Sequence, residues 1–140
     1  MNGDDAAGVL VVRKLKKLLP KNDQLFLIEA SIAPENYTSL IKKLKPDWIW
    51  IIDAADVGIE PGGFQLVEIS TIDEIGANTH RISLSLLISY LHSELKTEIS
   101  VFGIQPVSID PFTDLSRPVK NTIQQISKIL LLWLKNTYNN

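Results

Sequence analysis

The chain has 140 residues, 45% hydrophobic and 21% charged, which is enough to bury an ordinary core and argues against disorder. A formal net charge of −2, with no Lys/Arg cluster interleaved with aromatic residues, excludes a strongly basic nucleic-acid surface. The chain has no cysteine, which excludes disulfides, zinc fingers, thiol catalysis and iron–sulfur ligation by its own residues.

The predicted elements alternate between helices and strands along the chain. Apolar spacing predicts helices over residues 4–19, 35–45 and 83–95 and a last helix from about residue 119 to 133, and strands over residues 24–29, 48–53, 64–69 and 98–104. This order predicts one α/β domain over residues 1–140. We expect three α-β-α layers around a twisted, mostly parallel sheet, with residues 64–69 as an antiparallel edge strand.

The first predicted element is a helix, although a sheet of this kind normally opens with a strand. The helix has an apolar stripe of Ala7, Val11, Leu15 and Leu18, but no strand precedes it. The pattern therefore looks as if one strand and its turn were missing.

Residues 48–52 are five large apolar residues without alternation, which is typical of a strand covered on both faces. Asp53 follows directly, at the carboxyl end of this strand, where ligands bind in open parallel sheets. Asp5 lies in the first turn of the first helix, where an acid that complements the helix dipole is the ordinary alternative. His80 precedes the helix over residues 83–95, where a loop histidine with a backbone partner is the alternative.

Two carboxylates and an imidazole at one sheet edge would form an oxygen and nitrogen site for a divalent transition metal. No H-E-x-x-H motif makes that site specific. The serines do not lie in a G-x-S-x-G elbow, and a P-loop and a G-x-G-x-x-G motif are absent. The residues alone therefore predict an acidic, metal-binding cleft on an α/β domain.

Five segments, in order along the chain, resemble the hydrogenase maturation endopeptidases, which trim the C-terminal extension of the nickel–iron hydrogenase large subunit. The segments are Gly3-Asp4-Asp5-Ala6-Ala7-Gly8, Ala33-Pro34-Glu35-Asn36, Ile52-Asp53-Ala54-Ala55-Asp56 with Gly58 and Pro61-Gly62, Thr79-His80 with Leu84, and Gly103-Ile104-Gln105-Pro106. The resemblance implies a cytoplasmic hydrolase, an aspartyl-type endopeptidase, whose partner is the large-subunit precursor. It involves no nucleic acid and no membrane insertion, and we expect a monomer or weak oligomer.

The resemblance also implies that Asp5, Asp53 and His80 are both the metal ligands and the catalytic residues. The metal would be nickel already inserted in the substrate, where it serves as the recognition element; another divalent ion would be able to take its place in crystals. Asp4, Asp56 or Glu29 would orient the ligands. The group that activates water is left open.

Two departures from the family pattern matter. Glu29-Ala30-Ser31 stands where the family has an acid followed by two glycines, and only Met1-Asn2 precede the Gly3 segment, where the family has a strand and a G-x-G-N turn. We therefore expect the first family strand to be missing.

Three functions stay open: a nickel-dependent endopeptidase, a nonproteolytic relative that senses the metal or chaperones the precursor, and an unrelated metal-free α/β domain.

Overall fold

Among the described residues, three strands form one mixed sheet, in which the third strand along the chain lies between the first and the second. The structure is a computed structural model that describes residues 3–30, 34–72 and 79–138, without the side chains of residues 34, 35 and 79–83. The strands are β1 (Trp48–Ala54), β2 (Phe64–Val67) and β3 (Glu98–Ile104), and the helices are α1 (Ala7–Leu18), α2 (Thr38–Leu44), α3 (Thr79–Glu94) and α4 (Arg117–Tyr138). Short 3₁₀ turns span Gly3–Ala6, Pro34–Tyr37 and Ile69–Thr71.

β1 and β3 run parallel, and β2 runs antiparallel to β3. Trp48 lies opposite Glu98 and Asp53 lies opposite Gly103, so the two parallel strands end at the same edge of the sheet. The prediction of an antiparallel edge strand is confirmed at β2. That strand ends at Val67 rather than at residue 69, because the chain turns into the 3₁₀ turn Ile69–Thr71.

Helices cover both faces of the sheet, as the predicted three layers require. On one face α1 and α4 pack together with the ends of β1 and β3 in a core of Ala7, Val11, Leu15, Ala54, Ile104, Val119, Ile123 and Ile126. On the other face α3 packs on β3 through Leu84, Leu87, Ile88, Leu91, Ile99 and Val101, with Ile41 of α2 beside them. Of the stripe predicted for the first helix, Ala7, Val11 and Leu15 lie in the first core, whereas Leu18 is 47% exposed. None of the described helices is long and apolar enough to cross a membrane.

The predicted strand over residues 24–29 is wrong. In this stretch the only ladder contact among described residues is an isolated bridge between Asn22 and Leu25. A strand exists only when a neighbour takes its backbone hydrogen bonds. No described strand lies beside these residues, so their strand-like sequence stays without regular structure.

The expected burial of residues 48–52 is also wrong. Trp48 is 55% exposed, and Ile49 to Ile52 are only partly buried. The reason is that β1 is an edge strand of the described sheet.

Two helix boundaries differ from the prediction in ways that concern the site. α3 begins at Thr79 rather than at residue 83, so His80 lies in the first helical turn and not in a loop. The first helix is preceded by the 3₁₀ turn Gly3–Ala6, which contains Asp5.

Candidate functional site

Asp53 lies near the carboxyl end of β1, at the edge of the sheet where β3 also ends. Its side chain is partly buried, and its Oδ1 accepts a hydrogen bond from the Ala54 backbone N–H at 2.9 Å. On the neighbouring strand Gly103 lies opposite it. A Cβ at position 103 would stand 3.0 Å from the Ala55 Cβ, so a larger residue there would press on the chain just beyond Asp53.

Asp5 lies at the same edge, because the turn Gly3–Ala6 and the start of α1 pack against the end of β1. An ideal Cβ on Gly8 would stand 1.9 Å from the Ile52 carbonyl oxygen, so only glycine allows α1 to approach β1 this closely. Asp5 is partly buried, and both it and Asp53 line one apolar cavity of about 330 Å³. The structure therefore brings two of the three predicted site residues to one cavity.

Asp4 fixes the turn that presents Asp5. The Asp4 side chain is 2% exposed and accepts three hydrogen bonds, from the Val107 backbone N–H at 2.8 Å, the Ser116 backbone N–H at 2.7 Å and the Ser116 hydroxyl at 2.8 Å. A buried carboxylate needs such donors to offset its lost hydration. Asp4 thus ties the turn Gly3–Ala6 to the loop that follows β3.

Gln105 has the corresponding role for the turn that follows Asp53. Its buried side-chain oxygen accepts hydrogen bonds from the backbone N–H groups of Val57 at 2.8 Å and Gly58 at 3.1 Å. Its amide nitrogen donates to Asp56 Oδ1 at 3.2 Å. The sequence marked Gln105 only as part of a motif. The signal in the sequence is an amide side chain that directly follows a predicted strand and precedes a proline.

His80 lies one helical turn before Leu84, so backbone periodicity places both positions on the same face of α3. Leu84 lines the large cavity and also a smaller one of about 20 Å³ that Asp53 lines as well. The side chain of His80 lies outside the described residues.

Glu29 was considered above as an acid that orients the metal ligands, but the side chains that it contacts belong to α1. It accepts hydrogen bonds from Arg13 at 3.1 and 3.2 Å and forms an ion pair with Lys16 at 3.4 Å. The hydrogen bonds from the Arg13 guanidinium are the largest cause that lowers the pKa of the Glu29 carboxyl, with Lys16 adding to them. Glu29 therefore ties the segment after α1 back onto that helix.

Within the part of the chain whose side chains are described, no three His, Cys, Asp or Glu residues cluster to hold a metal ion. The His80 side chain is not in that part, so the Asp5, Asp53 and His80 set stays a prediction. The two carboxylates that line one cavity fit a divalent ion in donor chemistry, since carboxylate oxygen combined with imidazole nitrogen suits transition metals.

A family model described as hydrogenase maturation protease, HycI, matches residues 9–133, which is most of the chain. The chain belongs to the hydrogenase maturation protease family. Asp53 and His80 lie inside the matched range, and Asp5 lies shortly before it. This membership excludes the alternative of an unrelated α/β domain.

Individual members of the family are similar to this chain in sequence and in structure. It is 31% identical to the hydrogenase 3 maturation protease of Escherichia coli strain K12 over 137 residues, which cover 97% of this chain and 86% of the relative. The crystal structure of the NiFe hydrogenase maturation protease HycI from Thermococcus kodakarensis KOD1 matches with a TM-score of 0.83 at 30% identity, covering 96% of this chain and 85% of that one. The solution structure of the endopeptidase HycI from Escherichia coli matches with a TM-score of 0.81 at 29% identity, covering 95% and 84%.

Proposed function

We propose that this member of the hydrogenase maturation protease family is an endopeptidase that removes the C-terminal extension of a nickel–iron hydrogenase large-subunit precursor after nickel insertion. The observation that carries the proposal is that Asp5 and Asp53 both line the apolar cavity of about 330 Å³ that extends along β1. Carboxylates are the available chemistry, because the chain has no cysteine and no serine in a nucleophile elbow.

In this proposal nickel arrives with the substrate and is held by Asp5, Asp53 and His80. When bound, the ion supplies a Lewis acid beside the scissile carbonyl. The residues of the chain orient the ligands: Asp4 fixes the turn that contains Asp5, and Gln105 fixes the turn after Asp53. A precursor without nickel lacks the group that these ligands recognise, so cleavage follows metal insertion.

The test is processing of a nickel-loaded precursor by the full chain. We expect Asp53→Asn and His80→Ala each to lower the cleavage rate by about 100-fold or more, the upper range for groups that support a metal site. His92→Ala is the matched control, because His92 is an exposed imidazole near the other end of α3 and should leave the rate unchanged. A nickel-free precursor should resist cleavage. Undiminished cleavage by both site variants would overturn the assignment.

A second candidate is a nonproteolytic relative that binds the precursor and senses its metal. The observation that favours it is the open outer edge of β1 beside Asp53, which leaves the support of the site incomplete in the described structure. Co-purification of the nickel-loaded precursor with the chain, with no shortening of the precursor on mass spectrometry, would favour this candidate. Shortening would exclude it.

We also propose that the protein works in the cytoplasm as a monomer or weak oligomer. The absence of cysteine suits a reducing compartment.

A further inference from the structure

The loop that connects β3 to α4 leaves the sheet at the edge where Asp53 lies, because β1 and β3 run parallel and end together. It carries three apolar side chains that the rest of the protein leaves uncovered. Val107 is 55% exposed, Ile109 is 59% exposed and Phe112 is 95% exposed. A single exposed apolar residue is ordinary, but three in one short loop beside a candidate site indicate a surface that binds an apolar partner.

Hydrogen bonds within the loop fix the backbone that carries Phe112. The Asp110 N–H donates to the Ser108 hydroxyl at 3.1 Å, and the Phe112 N–H donates to Asp110 Oδ1 at 2.9 Å. The Thr113 hydroxyl and the Thr113 N–H both donate to the Asp110 carbonyl, at 2.7 and 3.2 Å. The backbone at Phe112 is therefore ordered before a partner arrives, which lowers the conformational entropy that binding must remove.

Both ends of the loop are fixed to the turn that contains Asp5. The buried Asp4 carboxylate accepts hydrogen bonds from the backbone N–H groups of Val107, at the start of the loop, and Ser116, at its end. An ideal Cβ on Gly3 would stand 2.6 Å from the Thr113 carbonyl oxygen, so the loop lies directly against this turn. A substrate that reaches Asp5 therefore comes next to the loop.

The shape of this surface indicates the kind of partner that binds it. Phe112 projects from the loop with almost none of its side chain covered, so the partner must supply the pocket that buries the ring. An extended peptide binds in a groove or along a strand edge and has no pocket of its own. A folded protein has such pockets, so the loop fits a folded partner better than a peptide.

The size of this surface indicates that it does not bind the partner alone. A stable interface between two proteins buries about 800 Å² on each partner, and three side chains cover only part of that area. The surface next to the loop is the turn Gly3–Ala6 with the cavity that Asp5 lines. The partner at the loop is therefore the same protein that presents its reacting group to Asp5 and Asp53.

We propose that residues 107–112 dock the folded body of the large-subunit precursor, and that Phe112 inserts into an apolar pocket on its surface with Val107 and Ile109 beside it. This inference rests on the proposed function, which makes the precursor the protein that reaches Asp5. The loop sets the affinity for the precursor, whereas the metal ligands act on the scissile bond. Phe112 is thus a residue that determines specificity and takes no part in the reaction itself.

The experiment compares the full chain with Phe112→Ser in steady-state cleavage of the folded, nickel-loaded precursor. We expect the KM for the precursor to rise about tenfold with kcat unchanged, because the lost contact contributes to binding and not to the transition state. Equilibrium capture of the precursor by the immobilised chain, counting cut and uncut molecules together, should show the same loss of affinity. Asp53→Asn should lower kcat instead.

Two further variants separate docking from a general effect of removing an exposed apolar side chain. Phe112→Leu keeps an apolar side chain and should recover most of the lost affinity. Ile129→Ser is the matched control, because Ile129 is 65% exposed but lies on α4 about 18 Å from the start of that helix, and it should leave KM unchanged. Both serine variants should melt at the temperature of the wild type, since both side chains are exposed.

Several results would overturn the proposal. An unchanged KM and capture in Phe112→Ser, an equal loss in Ile129→Ser, or no capture by the wild type would each do so. An equal loss of affinity for a free peptide that spans the cleavage site would make the extension itself the occupant. A dimer of the full chain that Phe112→Ser dissociates would make a second copy the occupant. Capture that depends on Phe112 without any cleavage would refute the proposed endopeptidase but support this docking surface.

Discussion

Two adjacent aspartates in the first turn have different surroundings and different tasks. Asp4 is buried and accepts three hydrogen bonds from the segment after β3, whereas Asp5 is partly exposed to the cavity that Asp53 lines. The sequence named Asp4 only as one of several orienting acids. Nothing in the local pattern separates the two, because the partners of Asp4 lie more than a hundred residues away along the chain.

Asp4→Asn tests the role of Asp4 as an anchor. The amide keeps one acceptor oxygen but replaces the other with a donor that faces donors, so we expect a loss of about 1.5–3 kcal/mol in the free energy of unfolding, measured in urea. Asp56→Asn is the matched control, since Asp56 is exposed and should cost much less. A loss in the Asp4 variant no larger than in the control would contradict the anchoring role.

At the scale of elements, the helices were predicted because each depends on one segment of the chain. The errors concern strand pairing and burial, which depend on neighbouring segments. Three of the four residues in the predicted α1 stripe lie in the first core, because helical periodicity is local. Residues 24–29 and the burial of β1 were predicted wrongly, because strand pairing and burial depend on which chain lies alongside. His80 was placed before its helix, because the predicted helix began four residues too late.

The link between α1 and the segment after it depends on Glu29. Since the Arg13 and Lys16 contacts lower the Glu29 pKa, they contribute stability that is fully present above the ordinary value of 4.5 and is lost as the pH falls through the lowered value. We expect Glu29→Gln to reduce the free energy of unfolding at pH 7 by less than about 1 kcal/mol, as for other exposed pairs.

The pH dependence separates this effect from a general loss of packing. The difference between wild type and Glu29→Gln should shrink below pH 4.5 and disappear at still lower pH, in urea titrations at several pH values. Glu60→Gln, at an exposed glutamate, is the control. A deficit of constant size across this range would contradict the electrostatic origin.

At the scale of the whole molecule, the topology of the fold explains why two aspartates far apart along the chain lie at one edge of the sheet. Parallel β1 and β3 end at one edge, and α1 approaches the same edge through Gly8. His80 lies in the first turn of α3, at a position on the same face of the helix as Leu84. The order of elements and the acid after β1 were enough to predict this edge from the sequence. The apolar character of the cavity that Asp5 and Asp53 line was not predicted, since its lining comes from segments that lie far apart along the chain.

The measurement that tests the central claim most directly is the proximity of positions 53 and 80. Because the chain has no cysteine, the double variant Asp53→Cys with His80→Cys contains only the two thiols of interest. Treatment with a short bifunctional thiol reagent should give an intramolecular cross-link in most molecules, detected by mass spectrometry. The control, Asp53→Cys with His92→Cys, places the second thiol three turns farther along α3 and should not cross-link. Equal cross-linking in the two pairs, or none in the first, would contradict the convergence of Asp53 and His80 on one metal.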